Sequence, residues 1–139
     1  MDNFQIVAGR MITEMEHHAR KLGVKGVMVV ASMDDSGFSW ISQMRAVDAI
    51  RSISENPAQN EYPGYNFIGI AYSKAAEMAD TKLDSGRKLR SPFQGEFGYQ
   101  GGLIKKVQSG FILTVFSGAS SEQDLEIAKA GMNAYQVNQ

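Results

Sequence analysis

The stretch GGLIKKVQSGFILTVFSGASSEQDLEIA, residues 101–128, decides the reading of the fold. Leu103 to Val107 and Phe111 to Phe116 are short segments separated by Gln108-Ser109-Gly110, the pattern of a β-hairpin with a glycine-containing connection. Ser120 and Ser121 then precede Glu122-Gln123-Asp124, the spacing of a capping box at a helix start. Leu125, Ala128, Met132 and Tyr135 continue at steps of three and four, the apolar stripe of a helix. A hairpin that feeds a helix implies a largely antiparallel sheet with helices packed on it, so the chain reads as α/β in the α+β sense, not as a doubly wound parallel sheet.

Working outward, residues 84–102 (DSGRKLRSPFQGEFGYQGG) hold five glycines and one proline without either periodicity. A loop this long within a compact domain is usually functional or disordered. Before it, Phe67, Ala71, Ala75 and Met78 mark the apolar face of a helix from about Asn66 to Lys82, and its alanines allow close approach to a sheet. Val47, Ile50 and Ile53 at steps of three predict a short helix that stops near Asn56-Pro57, because proline disfavours helix in the residue before it. A polar loop follows from Ala58 to Gly64. Val24 to Met33 is valine-rich and short, a buried strand. Asp34-Asp35-Ser36-Gly37 is a turn in which acidic side chains bond the backbone and glycine takes positive φ. Phe38 to Met44 alternates, completing a first hairpin. Phe4, Ala8, Met11, Met15, His18 and Leu22 line a first helix, with Asp2 or Asn3 as its cap and Gly23 at its end. No internal repeat or linker divides the sequence, so residues 1–139 read as one domain.

Composition bounds the function. Apolar residues are 43% and charged residues 21% of the 139, ordinary for a chain able to bury a core. Net charge is −1, so no overall field draws the chain onto nucleic acid or an acidic membrane. The absence of cysteine removes disulfides, thiolate metal sites and a cysteine nucleophile together. Met1-Asp2-Asn3-Phe4 lacks the basic start and apolar run of a signal peptide, and no apolar stretch nears the ~20 residues that span a bilayer. The expectation is a cytoplasmic protein with no membrane and no nucleic-acid partner.

These residues resemble the GlcG/HbpS-like family, which also forms the C-terminal domain of PduO-type corrinoid adenosyltransferases. The likeness rests on Gly101-Gly102-Leu103-Ile104, on Ser117-Gly118-Ala119-Ser120-Ser121-Glu122-Gln123-Asp124, and on Glu126-Ile127-Ala128 with Gly131. Leu22-Gly23-Val24, the acidic turn ending in Gly37, Met44-Arg45, and Ala71, Lys74-Ala75 and Ala79 fit as well. Leu103 and Ile112-Leu113-Thr114 depart from the family pattern, and residues 52–66 are longer than it. The resemblance implies a profilin- or roadblock-like fold with a five-stranded antiparallel sheet and helices packed on it. It also implies homo-oligomers built from dimers and a small-molecule ligand, with heme bound by several members.

Several residues are candidates for that ligand. His18 lies on the apolar stripe of the first helix, and a histidine aimed into an apolar cavity is a heme-iron ligand type; the plain alternative is a histidine bonded to backbone or at a subunit interface. His17 points about 100° away, so the tandem makes no zinc site. Arg87, Lys88 and Arg90 suit carboxylates or phosphates such as heme propionates, although basic loop residues are commonly just solvated. Met44 and Arg45 are further candidates for the pocket wall. The glycines of residues 95–102 are not followed by a Gly-Lys-Ser/Thr and lead into a strand, which speaks against a phosphate loop. The function expected is therefore a small-ligand-binding protein, heme being the cofactor implied. The alternatives are an enzyme acting on a small anionic metabolite with residues 84–102 as a lid, and a non-catalytic oligomeric partner module.

Overall fold

A computed structural model describes residues 3–56 and 62–137. The elements run α1 (Phe4–Leu22), β1 (Gly26–Asp34), β2 (Trp40–Val47), β3 (Arg51–Ile53), β4 (Gly64–Asn66), α2 (Phe67–Thr81), β5 (Gly102–Val107), β6 (Gly110–Ser117) and α3 (Ser121–Val137). Four strands form one sheet in the order β2-β1-β6-β5, every neighbour antiparallel. The pair β3-β4 stands as a separate antiparallel ribbon. The sheet expected to have five strands thus has four, with two further strands set apart.

β1 is buried over most of its length because both faces of the sheet are covered. Met28 and Val30 point to α1 and α3, where they meet Met11, Met15, Phe116 and Ile127. Val27, Val29, Ala31 and Met33 point the other way, to Ala71, Ala75 and Met78 of α2. A strand covered twice reads as a continuous apolar run and not an alternating one, as its valines do here. No helix among the described residues is long and apolar enough to cross a membrane.

The helix predicted at Val47–Ile53 is not formed. Val47 closes β2, Asp48 takes a positive φ of 63°, and Val47 bridges to Ala49. The chain then enters β3, which pairs Arg51 with Asn66 and Ile53 with Gly64. Ile50 and Ile53 are exposed, so their spacing of three marks no packed face; ribbon pairing outweighs a weak helical pattern. The polar loop expected from Ala58 to Gly64 lies partly outside the described residues, as does the Asp2 cap. Asn3 makes no side-chain cap bond, whereas Gly23 ends α1 in the left-handed conformation at φ 72°.

The cap at α3 forms as its sequence predicts. The Gln123 N–H donates to Ser120 Oγ at 3.2 Å, and the Ser120 N–H reaches back to Gln123 Oε1 at 3.4 Å. At α2, the Gly69 N–H donates to Asn66 Oδ1 at 3.0 Å. These caps fix where two helices start, and both starts lie at one end of the sheet.

Candidate functional site

α2 carries its apolar stripe at Phe67, Ala71, Ala75 and Met78, and Lys74 falls on the same face, seven residues after Phe67. The side chain therefore enters the protein, where Lys74 is only 2% exposed. Its Nζ donates to the Phe116 carbonyl at 2.7 Å and to Asp124 Oδ2 at 3.0 Å. Asp124 is held in place from the other side by the Ala119 N–H, 2.9 Å from Oδ1. The pair thus ties α2, the end of β6 and the first turn of α3 together. Burial pushes the Lys74 ammonium below its ordinary range, opposed by the Asp124 charge. Burial likewise raises the Asp124 carboxyl, opposed by Lys74. Both shifts point toward the neutral forms of the two groups.

Gly101 makes room for this pair. A Cβ built there would lie 2.6 Å from Lys74 Nζ and 2.7 Å from Asp124 Cβ, and its φ of +119° suits glycine. Above the pair lies a cavity of about 400 Å3, walled by Tyr65, Tyr99, Gln100, Ser117 and Ser121 among others. It does not stand alone. Tyr99 also lines a second hollow of about 550 Å3 beside Glu77, Lys88, Leu89, Pro92 and Phe97. Ser52 and Tyr65 also line a third of about 560 Å3, with Ile50, Arg51, Ile53 and Ile68. The three hollows are neighbours in a grooved surface beside α2: Tyr99 is a wall shared by the first two and Tyr65 a wall shared by the central cavity and the third.

Ile50, Ile53, Tyr65, Leu89, Phe97 and Tyr99, all large apolar side chains left in solvent, line these hollows, and Phe93 is exposed on the same loop. Ile53, Tyr65, Leu89, Phe93 and Phe97 are each more than half exposed, and Phe97 stacks on Tyr99 with ring centroids 5.3 Å apart. Exposed apolar side chains clustered at a hollow commonly mark a ligand groove or an interface.

The loop that supplies one wall is pinned to the body. Glu77 accepts the Gly86 N–H at 2.9 Å, Ser85 Oγ accepts the Gly102 N–H at 2.9 Å, and Asp84 accepts the Ile104 N–H at 3.0 Å. Arg90 bonds Asp80 of α2 at 2.7 Å and Glu96 at 2.8 Å, and its guanidinium lies 3.6 Å over the Phe93 ring. These carboxylates raise the Arg90 pKa, and Arg90 holds Glu96 below the usual carboxylate range. Arg87 and Lys88 are exposed on the same loop.

The residues singled out from sequence are not gathered at one point. His18 lies on the seam between α1 and α3, with Nε2 2.5 Å from Glu126 Oε2. That seam is on the sheet face opposite α2. Met44 stands on the α2 side of edge strand β2, partnering Val29, and is 40% exposed. Arg45 points to the other side and bonds Glu16 of α1 at 2.9 Å, with Arg20 on the same carboxylate. Arg87 and Arg90 share the groove-side loop. The Lys74–Asp124 pair and the two tyrosines were not singled out. A lysine inside an apolar stripe was the signal for the first; nothing in the sequence placed Tyr65 and Tyr99 on one cavity, because that depends on where the ribbon and the loop lie.

No family model matches the sequence, and no curated protein matches it. Solved structures do. The crystal structure of Klebsiella pneumoniae protein ORFY, of family DUF336, aligns with a TM-score of 0.62 at 17% identity over 94% of this chain and 88% of that one. The PduOC:heme complex aligns with a TM-score of 0.62 at 16% identity over 92% and 91%. At these identities the likeness is one of architecture, and it bears out the resemblance drawn from the hairpin and the Ser-Gly to Glu-Gln-Asp junction: this chain has the fold of the GlcG/HbpS-like proteins.

Proposed function

We propose that this protein binds a small, flat, largely apolar ligand with acidic substituents in the groove along α2, and that heme is such a ligand. The observation that carries this reading is that three neighbouring hollows share Tyr65 and Tyr99 as common walls. The residues present suit the group. Ile50, Ile53, Leu89 and Phe97 offer apolar walls, Arg51 and Lys88 each line one of the hollows and could pair with a carboxylate, and tyrosine is a residue type that can hold heme iron. A relative in fold carries heme, which supports the choice. Heme, when bound, would supply an iron centre for ligand binding or electron transfer; the chain's own part would be to hold it against these walls and keep water from it.

His18 is the rival donor. Reaching iron from Nε2 requires release of Glu126, at a seam that lines none of the three groove hollows. A hemin titration of the wild type, Tyr99→Ala and His18→Ala separates the two positions. The groove predicts a Soret shift that His18→Ala keeps and Tyr99→Ala weakens at least tenfold. The reverse pattern moves the ligand to the α1–α3 seam, and no shift in the wild type removes heme.

We also propose a homo-oligomer. Edge strand β2 leaves its backbone edge open and exposes Trp40, Ile41 and Met44, with Phe38 beside it 96% exposed. Open apolar edges pair with another chain or aggregate. Native mass tests this directly: a monomer at working concentration overturns it.

A further inference from the structure

We propose that Lys74 is a nucleophile that captures the carbonyl carbon of a small aldehyde or ketone entering the central cavity, with Asp124 as the group that takes and returns the proton. The inference rests on the groove admitting ligands, and goes beyond it in assigning a covalent step. Lys74 is the lysine of the described chain that is buried; Lys21, Lys25, Lys82, Lys88, Lys106 and Lys129 are exposed and Lys105 is half-buried. It nonetheless lines a cavity of about 400 Å3, large enough for a compact organic molecule. Two of its three N–H donors are fixed by Phe116 O and Asp124 Oδ2. The groups around that space are those imine formation uses: a carboxyl 3.0 Å from the amine, hydroxyls of Ser117, Ser121 and Tyr99, and the Gln100 amide to orient a carbonyl oxygen.

The chemistry closes on itself. Proton transfer from Lys74 to Asp124 leaves a free amine and a carboxylic acid, a state that burial favours for both groups. The Nζ lone pair attacks the carbonyl carbon, the C=O π electrons pass to oxygen, and Asp124 protonates that oxygen. The nitrogen proton returns to the Asp124 carboxylate and is passed to the hydroxyl, which leaves as water while the C=N bond forms. One amine and one carbonyl compound give one imine and one water, with no oxidant or reductant.

Reductive trapping tests this on the intact protein. Benzaldehyde with cyanoborohydride at neutral pH converts an imine to a stable benzylamine, which peptide mass mapping assigns to a lysine. Exposure alone ranks Lys74 last. The proposal predicts that Lys74 is labelled at least tenfold faster than Lys21 or Lys129, and that its labelling rises at lower pH than theirs. Labelling of Lys21 and Lys129 with Lys74 untouched, in protein that still binds hemin, overturns the covalent step alone. The same result in protein that does not bind hemin overturns the groove as well.

Discussion

Replacing Lys74 by methionine keeps most of the side-chain volume and removes only the ammonium. The variant leaves Asp124, 5% exposed, with the Ala119 N–H as its remaining protein donor and no counter-charge. Breaking a buried ion pair on one side costs about 3–5 kcal/mol, because the surviving charge keeps its desolvation penalty and loses its compensation. For a chain of this length that corresponds to a melting temperature lower by roughly 10–15 °C. The pH dependence has a definite sign. Burial already places the Asp124 pKa above its ordinary value, and loss of Lys74 raises it further. A group raised on folding contributes stability below its unfolded pKa and loses it as pH rises through the folded one. The Lys74→Met deficit is therefore largest at pH above the raised folded pKa of Asp124 and shrinks as pH falls through it toward the unfolded value. The double variant Lys74→Met with Asp124→Leu restores stability to within about 1 kcal/mol of the wild type, since a buried pair replaced by apolar groups of similar size is often neutral or better. Urea unfolding of the three proteins at pH 4 and pH 7 measures all of this. A single-variant cost below about 1 kcal/mol, or one unchanged by pH, refutes the reading of the pair as buried and mutually compensating.

Other consequences are sharper still in direction. Ser120→Ala removes the cap of α3 and lowers stability by about 1 kcal/mol, whereas Asn3→Ala, which removes no cap bond, stays within about 0.5 kcal/mol by the same unfolding assay. Arg90→Ala cuts the ties to Asp80 and Glu96, so amide exchange of residues 84–101 accelerates in mass-resolved hydrogen exchange while β1 and β6 keep their protection. Glu96, held low chiefly by the Arg90 hydrogen bond, stabilises the fold above its unfolded pKa and loses that contribution as pH falls through the folded one. Glu96→Gln therefore flattens the acid side of the stability profile, and an unchanged acid limb there contradicts the clasp.

What sequence makes legible here follows from range. α1 and α3 could be placed because their stripes, Gly23 and the Ser120–Gln123 box are local devices, complete within a few residues. Both hairpins were legible because Asp34-Asp35-Ser36-Gly37 and Gln108-Ser109-Gly110 close them over two to four residues. Val47–Ile53 misled for the opposite reason: a spacing of three between two isoleucines imitates a helix, while the residues that make it a strand, Gly64 to Asn66, lie across a loop. The groove shares this difficulty. Its walls come from β3, β4, the 84–101 loop and α3, so no window of sequence contains it. His18 shows the converse. Its place on the α1 stripe was readable, but its neighbour Glu126 is 108 positions away, and that neighbour determines what the imidazole does.

The motifs that carry the resemblance look like separate landmarks along the chain, yet three of them meet at one point. Lys74 comes from the Lys-Ala of α2, Gly101 from the glycine pair before β5, and Asp124 from the Glu-Gln-Asp turn of α3. Each choice is conditional on the others. A lysine in an apolar stripe is tolerable only with a buried acceptor, which Asp124 supplies. Asp124 can sit there only because the Ser120–Gln123 cap starts α3 one turn earlier and leaves the Ala119 N–H to hold its other oxygen. The two charges can approach only because residue 101 has no Cβ to stand 2.6 Å from Nζ. A merely structural tie between α2 and α3 would be met as well by two apolar residues. Its position at the floor of a groove open to solvent is what favours a chemical role, and it makes the labelling of Lys74 the measurement that separates a clamp from a reactive site.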